Sequence, residues 1–202
     1  MTEVFLNKVY AASGETETRE IYDAWAKTYE TEVGEHGYAT PGRCAAALAG
    51  MTPDLTAPLL DFGCGTGLSG LALKLAGFET IDGVDISKEM LAQATQKGVY
   101  RSTRQVTADT VIATGSYANI AAIGVIGTGA APISVLDMLM KALPRDGRLV
   151  FSFNDHTLQD PVHEARINEW TDCGAARLLF RERGAHLPGI NMQSNVYILE
   201  KA

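Results

Sequence analysis

LLDFGCGTGLSG, residues 59–70, sets four glycines among small residues directly behind an apolar run. A run of this kind that stops at a glycine cluster reads as a buried strand turning sharply into a helix. The glycines allow backbone angles that other residues resist, and they let the main chain lie close to a neighbour. Two spacings overlap here, Gly65-x-Gly67-x-x-Gly70 and Gly63-x-Gly65-x-Gly67, and what the loop lies against depends on which one is used.

From Ala57 onward, β-rich runs alternate with helical ones, the pattern of a parallel sheet flanked by helices. Seven strands are expected, near Pro58–Phe62, Thr80–Val84, Gln105–Ala108, Ile120–Val125, Arg148–Ser152, Ala176–Arg181 and Val196–Glu200. Helical spacing marks Leu68–Leu75, Lys88–Gln96 behind a Ser87 N-cap, Ile133–Leu143, and a stretch around Val162–Thr171. The third strand is polar for a buried parallel position. Between the last two strands, GAHLPGINMQ is too short for a helical crossover, so that pair is expected to be antiparallel. Residues 1–56 read as a helical cap on a core formed by residues 57–202, the whole making a single domain. Within the cap, Tyr22, Trp25 or Ala26, Tyr29 and Val33 recur at three- and four-residue steps. That aromatic face either belongs to the core or covers a ligand.

Composition narrows the possible partners. With 202 residues, 46% hydrophobic and 20% charged, the chain has ordinary globular composition. No apolar run is long enough to cross a bilayer, and the first residues lack the form of a signal peptide. A cytoplasmic protein with no membrane partner is expected. Cys44, Cys64 and Cys173 match neither a disulfide framework nor a zinc site and should be reduced. A net charge of −7 argues against nucleic acid as the main partner.

In an open parallel sheet, ligands sit beyond the carboxyl ends of the strands where the strand order reverses, which is where Asp61–Gly67 would fall. The loop and the helix behind it offer N–H donors to an anion, either a pyrophosphate or a carboxylate. The first glycine spacing is the one associated with dinucleotides. Asp85 ends the second strand 18 positions beyond Gly67, where nucleotide folds place the acid that binds ribose hydroxyls. Ribose is common to an adenine dinucleotide and to S-adenosylmethionine, so Asp85 alone does not separate them. Asp61 does: a carboxylate two positions ahead of Gly63 suits an α-ammonium group and repels a pyrophosphate.

LLDFGCGTG followed by GVDISKEMLAQA closely resembles the first two motifs of class I S-adenosylmethionine-dependent methyltransferases. YDAWAKTYETEV, HGYATP and AGFETIDGVDISKEMLAQATQKGVYR further resemble the methyltransferase-like branch named for the Williams-Beuren syndrome chromosome region. The resemblance implies a Rossmann-like, doubly wound α/β fold: a seven-stranded, mostly parallel sheet with a C-terminal antiparallel hairpin and an N-terminal helical lid. It implies S-adenosylmethionine as cofactor, S-adenosylhomocysteine as product, and transfer of a methyl group to an O, N or C nucleophile. By position, Gly63, Cys64, Gly65, Thr66 and Gly67 would wrap the methionine end, Asp85 the ribose, and Ile86 and Met90 the adenine. Asp109 would meet the adenine amino group, Gly124 the methionine amine, and Tyr22, Trp25 and Tyr29 would lie over the cofactor. One departure stands out, since many relatives open the fourth strand with an aromatic residue and Asp, whereas here Ala118 follows Tyr117.

A sulfonium methyl is already electrophilic, so the protein must align, exclude water and, for some nucleophiles, take up a proton. Cys64 has no basic partner nearby in sequence and reads as packing. His36, Tyr38, Asn154, Asp155 and His156 are candidates for a base, with His163 and His186 less favoured. Asn154-Asp155 lacks the further carboxylates that magnesium needs, so no metal is expected. The Asn/Asp-Pro-Pro-aromatic signature of nucleic acid base methylation is missing, and a small-molecule acceptor is preferred. Two rivals remain: an NAD-type oxidoreductase, and an S-adenosylmethionine-binding protein or sulfonium enzyme that transfers no methyl group. Oligomeric state is not legible.

Overall fold

The structure is a computed structural model, and it describes Lys8, residues 14–107 and residues 109–202. Seven strands form one sheet: β1 (Leu59–Phe62), β2 (Ile81–Asp85), β3 (Ser102–Gln105), β4 (Asn119–Ala122), β5 (Arg148–Asn154), β6 (Ala176–Leu187) and β7 (Met192–Lys201). Their spatial order is β3-β2-β1-β4-β5-β7-β6. The first five run parallel, and β7 is antiparallel to both β5 and β6. The order reverses between β1 and β4, which opens a crevice at their carboxyl ends.

Strand residues alternate strictly between two cores, as a sheet covered on both faces requires. Leu60, Ile120, Leu149, Phe151, Tyr197 and Leu199 face one layer, with Leu136, Leu139 and Met140 of α6 (Ser134–Ala142) and Ile167 of α7 (Val162–Asp172). Leu59, Ile81, Ala121, Val150, Val196 and Ile198 face the other, with Cys44 and Leu48 of α3 (Thr40–Met51) and Leu73 of α4 (Leu68–Leu75). The α3 helix is therefore part of a sheet-covering layer, and the lid expected over residues 1–56 shrinks to α1 (Glu15–Trp25) and α2 (Tyr29–Glu35). These two helices hold to α5 (Lys88–Gln96) through three polar contacts: Ser87 Oγ donates to Asp23, Gln93 Nε2 donates to the Ala26 carbonyl at 2.6 Å, and Lys97 pairs with Glu30.

The expected helices over Leu68–Leu75 and Lys88–Gln96 are found, and Ser87 caps the second by accepting the Met90 N–H at 3.1 Å. Three strand placements differ from expectation. The fourth strand, expected to reach Val125, ends at Ala122, and residues 123–125 lie beyond it. The third strand lies three residues earlier, at Ser102–Gln105, because it sits at the sheet edge, where three of its four residues are exposed and polarity costs little. Ala108 lies outside the described residues. The stretch GAHLPGINMQ is mostly strand, since β6 and β7 extend until only Pro188–Ile190 and Asn191, in the left-handed region at φ 55°, make the turn. Among the described residues no helix is long and apolar enough to cross a membrane.

Candidate functional site

The glycine loop lies against different neighbours at its two ends. Gly63 lies in the left-handed region at φ 71°, and a Cβ there would come within 2.4 Å of the Val125 side chain. At Gly70 a Cβ would lie 2.2 Å from the Tyr100 hydroxyl, so the last glycine of the dinucleotide-type spacing makes room for a tyrosine of the protein itself. Between them, Gly65 faces open space. Two of the loop's donors are spent internally, since the Gly63 and Cys64 N–H groups both reach the Val84 carbonyl, at 2.8 and 3.0 Å.

A cavity of about 490 Å³ opens over this loop at the carboxyl ends of β1, β2 and β4. Gly63, Cys64, Gly65, Thr66 and Ser69 form its floor, and Asp85, Ile86, Met90, Val106 and Thr107 line one side. Tyr22, Tyr29, Tyr38 and Gly124 close another side, while Pro132, Val135 and Met138 give it an apolar end. Asp85 is buried, with Oδ2 accepting the Gly65 N–H and Oδ1 the Ser87 N–H, both at 2.8 Å. Burial pushes its carboxyl above the usual range, against the pull of those N–H donors, and Asp23 adds to the rise. The Ile86 N–H also draws on the carboxylate, whose four lone-pair sites still leave acceptor capacity beyond these donors. Thr66 Oγ1 is buried at the cavity wall with no hydrogen-bond partner among the described residues.

A model of the methyltransferase domain matches residues 37–194. The chain belongs to the methyltransferase domain family. That family's enzymes use S-adenosylmethionine. Human methyltransferase-like protein 27 is 37% identical over 83 residues, a match spanning 40% of this chain and 34% of that one. Among solved structures, an S-adenosylmethionine-dependent methyltransferase from Mesorhizobium loti superposes with a TM-score of 0.59 at 15% identity, covering 77% of this chain and 96% of that one. The magnesium protoporphyrin IX methyltransferase from Synechocystis, solved with S-adenosylmethionine bound, superposes with a TM-score of 0.59 at 18% identity, covering 98% and 90%.

The methyltransferase fold brings some of the expected residues to the cavity and leaves others aside. Gly63, Cys64, Gly65, Thr66, Asp85, Ile86, Met90 and Gly124 line it, while Gly67 stands behind, against Ala94, Lys97 and Tyr100. The Gly124 N–H is given to Ser152 Oγ at 3.1 Å. Asp61 lies under the loop rather than in the cavity, where its Oδ2 accepts from Ser69 Oγ at 2.6 Å and from the Tyr100 hydroxyl at 2.7 Å. Burial raises its carboxyl to about 6, with Ser69 and Tyr100 opposing. Asp109 is exposed and outside the cavity wall, because β3 ends early and puts Val106 and Thr107 at the position expected of it. Cys64 is buried, and burial, then Asp61 and Asp85, push its thiol far up, so it stays protonated as a packing group.

The aromatic face of α1 and α2 divides between core and cavity. Trp25 is buried against Val33 and Leu187, stacked on Tyr22 at 5.9 Å and edge-on to Tyr29 at 4.8 Å, and the two tyrosines reach the cavity wall. Ala118 lies at the opposite edge of the sheet, at the amino end of β4. Its neighbour Tyr117 donates to Asp82 at 3.0 Å, a carboxylate that also takes Arg101 and Ser102, so the carboxylate absent after Tyr117 lies away from the crevice.

A second, smaller cavity of about 70 Å³ adjoins the first and shares Tyr22, Tyr29, Tyr38, Gly124 and Ala130 with it. Of the candidates for a base, Tyr38 and Asn154 line this cavity, while His36, Asp155 and His156 do not. Asp155 is spent on Arg183 at 2.7 Å and the Gln193 N–H at 2.8 Å. Asn154 Oδ1 accepts the Thr157 N–H at 3.0 Å. The histidine present is His186, near the end of β6, which the sequence put behind the others because GAHLPG reads as a loop. Among the described residues no three His, Cys, Asp or Glu side chains gather as a metal would need.

Proposed function

We propose that this chain transfers a methyl group from S-adenosylmethionine to a small-molecule acceptor, working as a single domain in the cytoplasm. The observation that carries the reading is Asp85, buried at the cavity wall, its oxygens fixed by backbone N–H groups and keeping acceptor capacity beyond those bonds. Two adjacent hydroxyls of a ribose fit that arrangement. Ile86, Met90 and Val106 offer apolar surface for the adenine, and Thr66 Oγ1 offers an unsatisfied hydroxyl to the amino-acid carboxylate. Ser69 Oγ, at the cavity wall, donates to Asp61, which makes it a stronger acceptor for the α-ammonium. Asp61 thus acts on the ligand through Ser69.

When bound, S-adenosylmethionine supplies a methyl group made electrophilic by its sulfonium. The chain's own contribution is to hold donor and acceptor in line and to exclude water, and Tyr22 and Tyr29 do the latter. A net charge of −7 and an aromatic acceptor side favour a small molecule over a nucleic acid. YDAWAKTYETEV and HGYATP support placing the chain in the branch named for the Williams-Beuren syndrome chromosome region.

Calorimetry tests the reading directly. S-adenosylhomocysteine should bind with a stoichiometry of about one and NADH should not. Tight NADH binding would instead favour the oxidoreductase. Labelled methyl donor incubated with metabolite extracts, with the label traced by mass spectrometry, identifies the acceptor; no labelled product would favour binding without transfer.

A further inference from the structure

The small cavity has a wall of unusual chemistry. Four aromatic side chains, Tyr22, Trp25, Tyr29 and Tyr38, form one half, and the polar groups of the other half are Ser152, Asn154 and His186 with two threonines. Among the described residues, no Asp, Glu, Lys or Arg lines it. An ion entering there would give up part of its water without gaining a counter-charge from these residues.

Among the described residues that line it, His186 is the group able to ionise near neutral pH, and its surroundings keep it uncharged. It is buried and edge-on to Tyr38, with ring centroids 5.3 Å apart. Its Nδ1 is tied to Thr40 Oγ1 at 2.8 Å, and Thr40 is tied to Ser194 Oγ at 3.0 Å. Behind Ser194 stands Arg43, whose NH1 donates to Ser194 Oγ at 3.1 Å. Burial is the main cause holding the imidazole down at about 4; Asp155 opposes it, and Arg43 and His156 reinforce it. With Nδ1 occupied, Nε2 is the atom the ring can offer a ligand.

Size sets how much of a ligand enters. At about 70 Å³ the cavity has roughly half the volume of the ~150 Å³ engineered cavity that accepts benzene, so it takes a polar tip and not a ring. The rest of the molecule must lie at the junction with the larger cavity, beside Gly124 and Tyr38. The Thr40 bond is compatible with either tautomer of His186, so Nε2 either donates or accepts. A hydroxyl can answer both.

We infer that the methyl acceptor enters the small cavity with an uncharged hydroxyl held by His186, and that ionised acceptors are rejected there. This rests on the methyl-transfer reading above, and His186 is its specificity-determining residue. The recognition is the same whichever hydroxyl of the acceptor takes the methyl group.

The test uses the full chain saturated with S-adenosylhomocysteine and three probes of similar size: phenol, benzoate and benzylammonium. Imidazole ¹⁵N resonances report on His186 at pH 7. The expected result is a neutral imidazole whose Nε2 signal moves with phenol and saturates, while both ions require at least tenfold higher concentration. His186→Phe should weaken phenol binding at least tenfold and leave S-adenosylhomocysteine affinity within twofold. His186→Gln, which keeps hydrogen-bonding capacity, should recover part of the loss and serves in place of the phenylalanine variant if that one misfolds. An imidazolium at pH 7, an ion binding as tightly as phenol, or phenol leaving the His186 signal unmoved overturns the inference. Failure of S-adenosylhomocysteine to bind appears in the first titration and counts against the methyl-transfer reading alone; the phenol series on the free chain then decides the inference by the same outcomes.

Discussion

The upper and lower faces of the glycine loop each carry a buried carboxylate at the end of a strand, and the two do opposite things. On the upper face, Asp85 is fixed by main-chain N–H groups and turns its remaining lone pairs to the cavity. On the lower face, Asp61 spends one oxygen on Ser69 and Tyr100, and its Oδ1 is buried with no hydrogen-bond partner among the described residues. Tyr100 in turn accepts the Gly70 N–H at 3.1 Å, so it ties the strand, the loop and the start of α4 together. The upper face keeps hydrogen-bonding capacity for a ligand, and the lower face uses its own to hold the loop's shape.

The largest expected effect separates the two faces. Asp85→Ala removes the acceptor for both ribose hydroxyls, each bond to a charged group being worth ~1.5–3 kcal/mol, so S-adenosylhomocysteine affinity should fall by at least about a hundredfold. Calorimetry measures the loss; the Gly65 and Ser87 N–H groups also lose their acceptor, so the thermal unfolding midpoint should fall while the fold is retained. If binding stays tight, the ribose is held elsewhere and the contrast between the faces fails.

Next in size is Gly70→Ala. The added methyl would overlap the Tyr100 hydroxyl, which must leave and break its bonds to Asp61 and the Gly70 N–H. Overpacking and two disrupted buried hydrogen bonds together are expected to cost about 3–5 kcal/mol, read by urea unfolding. An unchanged midpoint would return Gly70 to the role the dinucleotide spacing gives it.

That result bears on how much of the molecule could be read from its letters. The number of strands, the hairpin and the loop were legible because alternation, turn residues and an acid at a fixed distance are local signals. What lies under the loop was not, since Tyr100 sits 30 residues beyond Gly70 and nothing in QKGVYR points to it. Asp61 was legible as an acid at the loop, but its direction was set by Ser69 and Tyr100. Asp109 was misplaced with the edge strand before it, whose exposed residues gave no apolar pattern to fix the register. His186 was hidden because its role depends on β6 running on through a stretch with loop-like composition.

Asp61→Asn sharpens the contrast through pH. The folded chain holds the Asp61 proton up to a pKa of about 6, above the ordinary aspartate value of 3.8, so this group contributes its stability below pH 4 and loses it as pH rises through 6. The difference corresponds to ~3 kcal/mol at most. Subtracting the variant's unfolding free energy from that of the natural chain at each pH from 4 to 8 should expose this decline. A flat difference would mean that Asp61 is ionised at no cost and that the lower face is wetter than its burial implies.

The smallest effect is the most diagnostic, because it changes sign between stability and binding. Thr66 Oγ1 is buried and unsatisfied, which costs the free protein about 1 kcal/mol or more. Thr66→Val removes that hydroxyl at nearly constant shape, so the free chain should become more stable by about 1 kcal/mol. The same change deprives the bound amino-acid carboxylate of a donor, and S-adenosylhomocysteine affinity should drop about tenfold, the equivalent of ~1.4 kcal/mol. An atom serving only the fold cannot give both results: its loss would destabilise the chain or leave both measurements unmoved. Opposite movements of midpoint and affinity therefore mark Thr66 as a group kept unsatisfied in the free protein for the sake of its ligand, as the upper face of the loop requires.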